Sequence, residues 1–152
     1  MKLKTLLLAA LLAASTPALA VDPVKVTADS MDLDDLSKNA VFSGNVVITR
    51  TGMTVWADKV VVTYGSAGQT DIDSLTATGN VKIKTPDQTA TGRQAVFDPV
   101  TQILTLSDNV TVTNEQGTVQ GPELTINLAT NRSTFRGSES QGGRVTGVFT
   151  PR

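Results

Sequence analysis

Histidine and cysteine are both absent from the 152 residues. Without them there is no Ser-His-Asp triad, no thiol nucleophile, no imidazole base and no ordinary zinc site. No disulfide can form in any compartment. A metal would have to be a hard ion held by oxygen alone, and no calcium-loop pattern occurs. Aromatics are scarce: one Trp, one Tyr and four Phe. The formal net charge is −1, so no broad basic field is available to hold nucleic acid. What is plentiful is Val (18) and Thr (23). These β-branched residues favour strands over helices.

Met1 to Ala20 reads as an address. Lys2 and Lys4 form a positive head, Leu6 to Ala14 an apolar run, and Ala18-Leu19-Ala20 a small-x-small cleavage site. The run is shorter than a membrane span. The expectation is a secretory signal peptide over 1–20, cleaved after Ala20, and a single exported domain over 21–152, located in a periplasm. Losing Lys2 and Lys4 takes the formal net charge from −1 to −3.

The remainder alternates with a period of two and carries an internal repeat. Gly44-Asn45-Val46, Gly79-Asn80-Val81 and Asp108-Asn109-Val110 open versions of one strand. A small residue lies twelve positions after each Asn: Ala57, Gly92 and Gly121. Ala28 lies 29 residues before Ala57 and opens an equivalent segment. The unit is about 29 residues, with one copy enlarged around Gly65 to Thr70. We read each Gly-Asn pair as a turn.

Aligning the copies leaves one face apolar. It carries Val46 and Ile48, Ile83, and Val112 on the segments that follow the Asn residues. It carries Leu33, Val60 and Val62, Phe97, and Leu124 and Ile126 on the segments that follow the small residues. Phe42, Leu104, Leu106 and Phe135 complete it on the stretches leading into each Asn. Thr, Lys and Asp fall on the other face. Such a chain would roll into a jelly roll or short solenoid with an aliphatic interior. The terminal strands would keep free edges, with Val26 at one end and Val145 and Val148 at the other, suited to strand addition.

Candidate chemistry is thin. Asp29, Asp32, Asp34 and Asp35 read as a solvated strand face and turn, as do Asp71 and Asp73. Gly142-Gly143-Arg144 lacks the pattern of a phosphate loop. Lys82 and Lys84 read as a solvated face, and Trp56 as rim or filler. Ser and Thr are many, but none has an evident activating base. The chain is expected to be no enzyme and to need no cofactor.

Val26-Thr-Ala-Asp-Ser30, Phe42-Ser-Gly-Asn-Val-Val-Ile-Thr49, Ala57-Asp-Lys-Val-Val-Val62, Thr78-Gly-Asn-Val81 and Arg144-Val-Thr-Gly-Val148 occur in this order. Together they resemble the OstA-like family of LptA-type lipopolysaccharide transport proteins, over essentially all of the chain after the leader. The resemblance implies an all-β fold: a folded-over antiparallel jelly roll of about four strand-turn-strand repeats, open along one side. It implies that lipid A acyl chains enter the apolar interior on the way from inner to outer membrane. It also implies head-to-tail homo-oligomers, an LptC-like inner-membrane partner and an LptD-like outer-membrane partner. Three competing readings remain. One is a self-associating structural β protein with a closed core. Another is the periplasmic domain of an LptC-like protein, against which the cleavable leader argues. The third is a carbohydrate-active solenoid, for which the aligned positions Asp58, Arg93 and Pro122 repeat no acid.

Overall fold

A computed structural model of the protein describes residues 24–65, 71–137 and 143–151. The leader, its cleavage site and most of the enlarged turn lie outside these residues. Ten strands form one antiparallel sheet: β1 (Lys25–Thr27), β2 (Ser30–Asp34), β3 (Asn39–Arg50), β4 (Met53–Tyr64), β5 (Ile72–Lys84), β6 (Gln88–Asp98), β7 (Ile103–Asn114), β8 (Gly117–Asn127), β9 (Arg132–Arg136) and β10 (Thr146–Phe149). No described residue is helical. β3 to β8 form a meander, β1 and β2 share the outer edge of β3, and β9 and β10 share the outer edge of β8. The two ends of the sheet do not pair with each other, so the sheet does not close into a barrel.

The Gly-Asn pairs are corners inside strands, not turns between them. Gly44 and Asn45 have φ of 79° and 45°, Gly79 and Asn80 of 82° and 47°, Asp108 and Asn109 of 65° and 55°. Two successive left-handed residues break the ladder and bend the strand. Register shifts fall at the same level on every pair from β3/β4 to β7/β8. On β4, β6 and β8 that level holds Ala57-Asp58, Gly92-Arg93 and Gly121-Pro122. The aligned bends fold the sheet over along one line into two layers.

The corner has its own hydrogen bonds. Asn45 Nδ2 donates to Asp29 Oδ2 at 3.0 Å, and Asn80 Nδ2 to Asp58 Oδ2 at 2.9 Å. A Cβ on Gly44 or Gly79 would lie 2.5 Å from the Asp29 or Asp58 oxygen respectively. The third copy has Arg93 where these copies have Asp, and there a side chain, Asp108, replaces the Gly.

The true turns lie at the strand ends. Asp34 Oδ1 accepts from the Leu36 and Ser37 amides, Asp98 Oδ1 from Val100 and Thr101, and Asn127 Oδ1 from Ala129 and Thr130. Each turn closes on a left-handed residue four positions on: Lys38, Gln102 and Asn131. An Asx side chain that mimics a backbone acceptor explains this shared geometry.

Alternation puts one face of both layers inside. A single cluster joins Val46, Val81, Ile83 and Val110 of one layer to Val60, Leu104, Leu106, Leu124 and Ile126 of the other. No buried residue is polar or charged among those described. Burial of aliphatic surface at roughly 25 cal/mol per Å² is therefore the force that holds the layers together.

An apolar trough between the layers

The interior is filled at one end and open at the other. Leu106, Leu124 and Val46 are at most 1% exposed and form packed core. Towards the turns of β3 to β6 the layers part, leaving a trough of about 470 Å³. Ile48, Met53, Val55 and Ile83 form one wall; Ile72, Leu75, Phe97 and Leu104 form the other. Val60, Ala77 and Ala95 lie at its floor, next to the corner. Arg50, Asp71 and Gln102 stand among the lining with Val24, Pro99 and Leu128.

The lining expected from sequence is distributed as follows. Ile48, Val60, Ile83, Phe97 and Leu104 line the trough directly. Val46, Leu106, Leu124 and Ile126 belong to the buried core beside it, and Phe42, Val62, Val112 and Phe135 pack half-buried against that core. Leu33 is the exception: it points to the inner face but is 41% exposed, because β2 is an edge strand with no neighbour beyond it. Met53, Val55 and Leu128 were missed. Val55 follows the same alternation as Ala57, but the sequence reading opens this strand only at the small residue Ala57, whereas β4 begins at Met53.

Among the edge positions, Val26 is half-buried on β1, while Val145 and Val148 are exposed, the latter on β10. Trp56 faces outward on the opposite side from the trough, with the Lys82 ammonium 5.4 Å from its ring centroid. The Asp cluster resolves into separate jobs: Asp29 holds the corner, Asp34 caps a turn, and Asp35 accepts from the Tyr64 hydroxyl at 2.9 Å. Bonding to Ser37, first through its hydroxyl and then its amide, holds the Asp34 carboxyl below its ordinary value. The Thr101 and Val100 amides do the same for Asp98. Burial pushes the Tyr64 phenol up, and its bond to Asp35 adds to this. A larger hollow of about 1030 Å³ lies among loop ends near Pro86, Gln116 and Phe149 and shares no lining residue with the trough. Among the described residues, no three His, Cys, Asp or Glu side chains converge as a metal site would require.

Fold and site together define a class: an open, folded-over β jelly roll with an apolar trough between its layers. A family model described as LptA/(LptD N-terminal domain) LPS transport protein matches residues 25–132. The chain therefore belongs to this lipopolysaccharide transport family. The lipopolysaccharide export system protein LptA of Escherichia coli (strain K12) is 27% identical over 161 aligned positions, covering 99% of this chain and 86% of that protein. An uncharacterised protein of Rhizobium meliloti is 27% identical over 130 positions, covering 81% of this chain and 68% of its own length. The crystal structure of LptH, the LptA-homologous periplasmic component of the lipopolysaccharide transport device of Pseudomonas aeruginosa, superposes with a TM-score of 0.73 at 22% identity. That match covers 85% of this chain and 96% of the other, and it establishes the shared fold.

Proposed function

We propose that this chain is a periplasmic bridge module that shields lipid A acyl chains in its apolar trough as lipopolysaccharide passes from inner to outer membrane. The observation that carries the reading is the trough of about 470 Å³, walled by aliphatic residues and Phe97. Each CH₂ held in such a site rather than in water is favoured by about 0.8 kcal/mol, so the trough offsets most of the cost of taking a long acyl chain out of a membrane. The sugars would remain outside, along faces rich in Thr and charge. The chain performs no catalysis in this role; it supplies a passive apolar path. A leader over 1–20, removed after Ala20, would deliver it to the periplasm, as the periplasmic relatives suggest. An LptC-like partner on the inner membrane and an LptD-like partner on the outer membrane would receive its two ends, and copies would join through Val26 on one edge and Val145 and Val148 on the other.

The test is a photo-crosslinking residue at Phe97 or Ile48. It should capture lipopolysaccharide in cells, while the same group at outward Thr111 or Thr125 should not. Capture only from the outward positions would overturn the reading. The rival reading, a structural protein with a closed core, requires a dry and filled interior, and the trough supports the open alternative.

A further inference from the structure

The back of one trough wall carries cations and hydroxyls but no acid. β4 and β5 turn Val55 and Ile83 into the trough, so Thr54, Trp56, Lys82 and Lys84 face outward. Cross-strand pairing extends these positions into two rows across β3 to β8. One row runs Thr49, Thr54, Lys84, Thr89, Thr113 and Thr118. Its neighbour runs Val47, Trp56, Lys82, Thr91, Thr111 and Gln120. Lys25 continues the first row onto β1. None of these residues is buried. The acids of these segments lie only at the corner, as Asp58 and Asp108, and in turns, as Asp87 and Glu115. The chain has 14 acidic residues against 13 basic ones, so a face charged by Lys alone runs against its composition.

The outer face of the other layer is different. There Val41, Val61 and Val96 share a row with Thr76 and Thr105. The next row holds both Lys59 and Glu123. On the Lys face, strand spacing puts Gln120 on β8 about 19 Å from Trp56 on β4. Hydroxyls repeat along that distance as paired donors and acceptors. A β-linked chain of pyranose rings advances by a similar step per ring. Trp56 offers an apolar ring face at one end of the rows. The Lys82 ammonium lies 5.4 Å from its centroid, on a flexible stem that can yield the ring and keep hold of an anion. At the other end Thr111 and Gln120 line a notch of about 300 Å³ together with Asn109 and Arg144.

We propose that this outer face is a docking surface for an anionic glycan strand, with Trp56 stacked on one ring, Lys82 and Lys84 on its carboxylates and the Arg144 notch taking a further anionic substituent. Charge complementarity selects the occupant: no acid in the two rows repels a polyanion, and the Lys side chains attract it. The hydroxyl rows favour a saccharide over a lipid surface, which would need an aliphatic face. The single aromatic favours ring stacking over the aromatic-rich lining of a drug-sized pocket. This surface goes beyond the bridge reading and does not depend on it. It lies on the opposite side of the wall from the trough, so a docked glycan would tether the chain and leave the trough free.

The test uses peptide-free glycan strands of alternating N-acetylglucosamine and N-acetylmuramic acid, which carry one carboxylate per disaccharide. Equilibrium dialysis of end-labelled strands against the full chain should show saturable binding, and the same strands should change the emission of Trp56, the one Trp in the chain. A neutral β-1,4-linked N-acetylglucosamine oligomer of equal length should bind about tenfold more weakly. Lys82→Gln with Lys84→Gln should weaken the charged strand about tenfold, and Thr91→Glu about threefold or more. Thr125→Glu, on the outer face of the other layer, should change nothing. Urea midpoints equal to the parent's show that these variants fold. No binding of the strands, or equal losses from Thr91→Glu and Thr125→Glu, would overturn the surface. Polyglutamate binding as tightly as the glycan would reduce it to unspecific charge and overturn it too. Tighter binding of deacylated lipopolysaccharide would give the face to the cargo's own sugars and overturn the glycan assignment. A fluorescent fatty acid, measured on the same samples, tests the trough separately. Loss of glycan binding with fatty-acid binding intact defeats this surface alone, and the reverse result defeats the trough alone.

Discussion

Asn80 Nδ2 donates to Asp58 Oδ2 at 2.9 Å across the corner of the sheet, and Gly79 beside it leaves room for that carboxylate. The Asn45–Asp29 pair repeats the arrangement one unit earlier. Gly79→Ala should cost about 1–2 kcal/mol from its left-handed backbone alone, and more from the 2.5 Å approach of the new Cβ to Asp58. Asp58→Ala alone should cost about 1 kcal/mol for the lost bond. The double variant should cost less than the sum, because removing the carboxylate removes the clash. Urea unfolding of the four proteins in a double-mutant cycle measures the coupling, and strict additivity would count against the clamp.

The filled and open parts of the interior should respond differently to truncation. Leu106 is fully buried, so Leu106→Ala should cost about 2–5 kcal/mol and leave the trough walls in place. Phe97 is only half-buried on the trough wall, so Phe97→Ala should cost about 1–2 kcal/mol, less than the range for a fully buried Phe. Its larger effect should be on binding of a fluorescent fatty acid. Urea midpoints and probe titrations on both variants check this; a trough variant that binds as well as the parent would place the acyl site elsewhere.

Much of this was legible in the sequence, and the failures have physical reasons. Period-two alternation placed Val60, Ile83, Phe97 and Leu104 on one face, because pleat geometry leaves no other arrangement. The Gly-Asn anchors were visible, but a left-handed pair serves equally as a turn or as a bend within a strand. Only the pairing of Ser43 with Lys59 on one side of Gly44-Asn45, and of Val46 with Ala57 on the other, shows that β3 continues through the corner. The turns closed by Lys38, Gln102 and Asn131 carry no Gly to mark them. Leu33 faces the right way yet lies open, because edge position belongs to topology rather than to local pattern. Whether the interior is open depends on how far the layers part, and no single strand encodes that distance.

Trp56 offers an internal control for binding. It is the one Trp in the chain and faces away from the trough, under the Lys82 ammonium. Filling the trough should leave its emission nearly unchanged, while Lys82→Ala should shift it and cost about 0.5–1 kcal/mol. Strong quenching of Trp56 by an acyl ligand would move the binding site to the outer face.

Acid and alkaline limbs of stability should trace to named turns. The Asp34 and Asp98 carboxyls lie below their ordinary value of 3.8 because turn amides, and at Asp34 the Ser37 hydroxyl, bond to the charged form. A depressed carboxylate stabilises the fold above its unfolded value and loses that contribution as pH falls through the folded one. Stability should therefore decline below about pH 4. Asn127 holds the same two amides with no charge to lose. Asp98→Asn should thus keep the turn and remove its share of the acid limb. Tyr64 behaves in the opposite sense. Its phenol is raised above 10.0 by burial and by the bond to Asp35, so its contribution persists below that pH and is lost as pH rises through the folded value. Tyr64→Phe should flatten the alkaline limb. As the chain has a single Tyr, its ionisation can be followed by ultraviolet absorbance in the folded protein and in urea. A folded titration no higher than the unfolded one would show that the Tyr64–Asp35 contact does not form in solution.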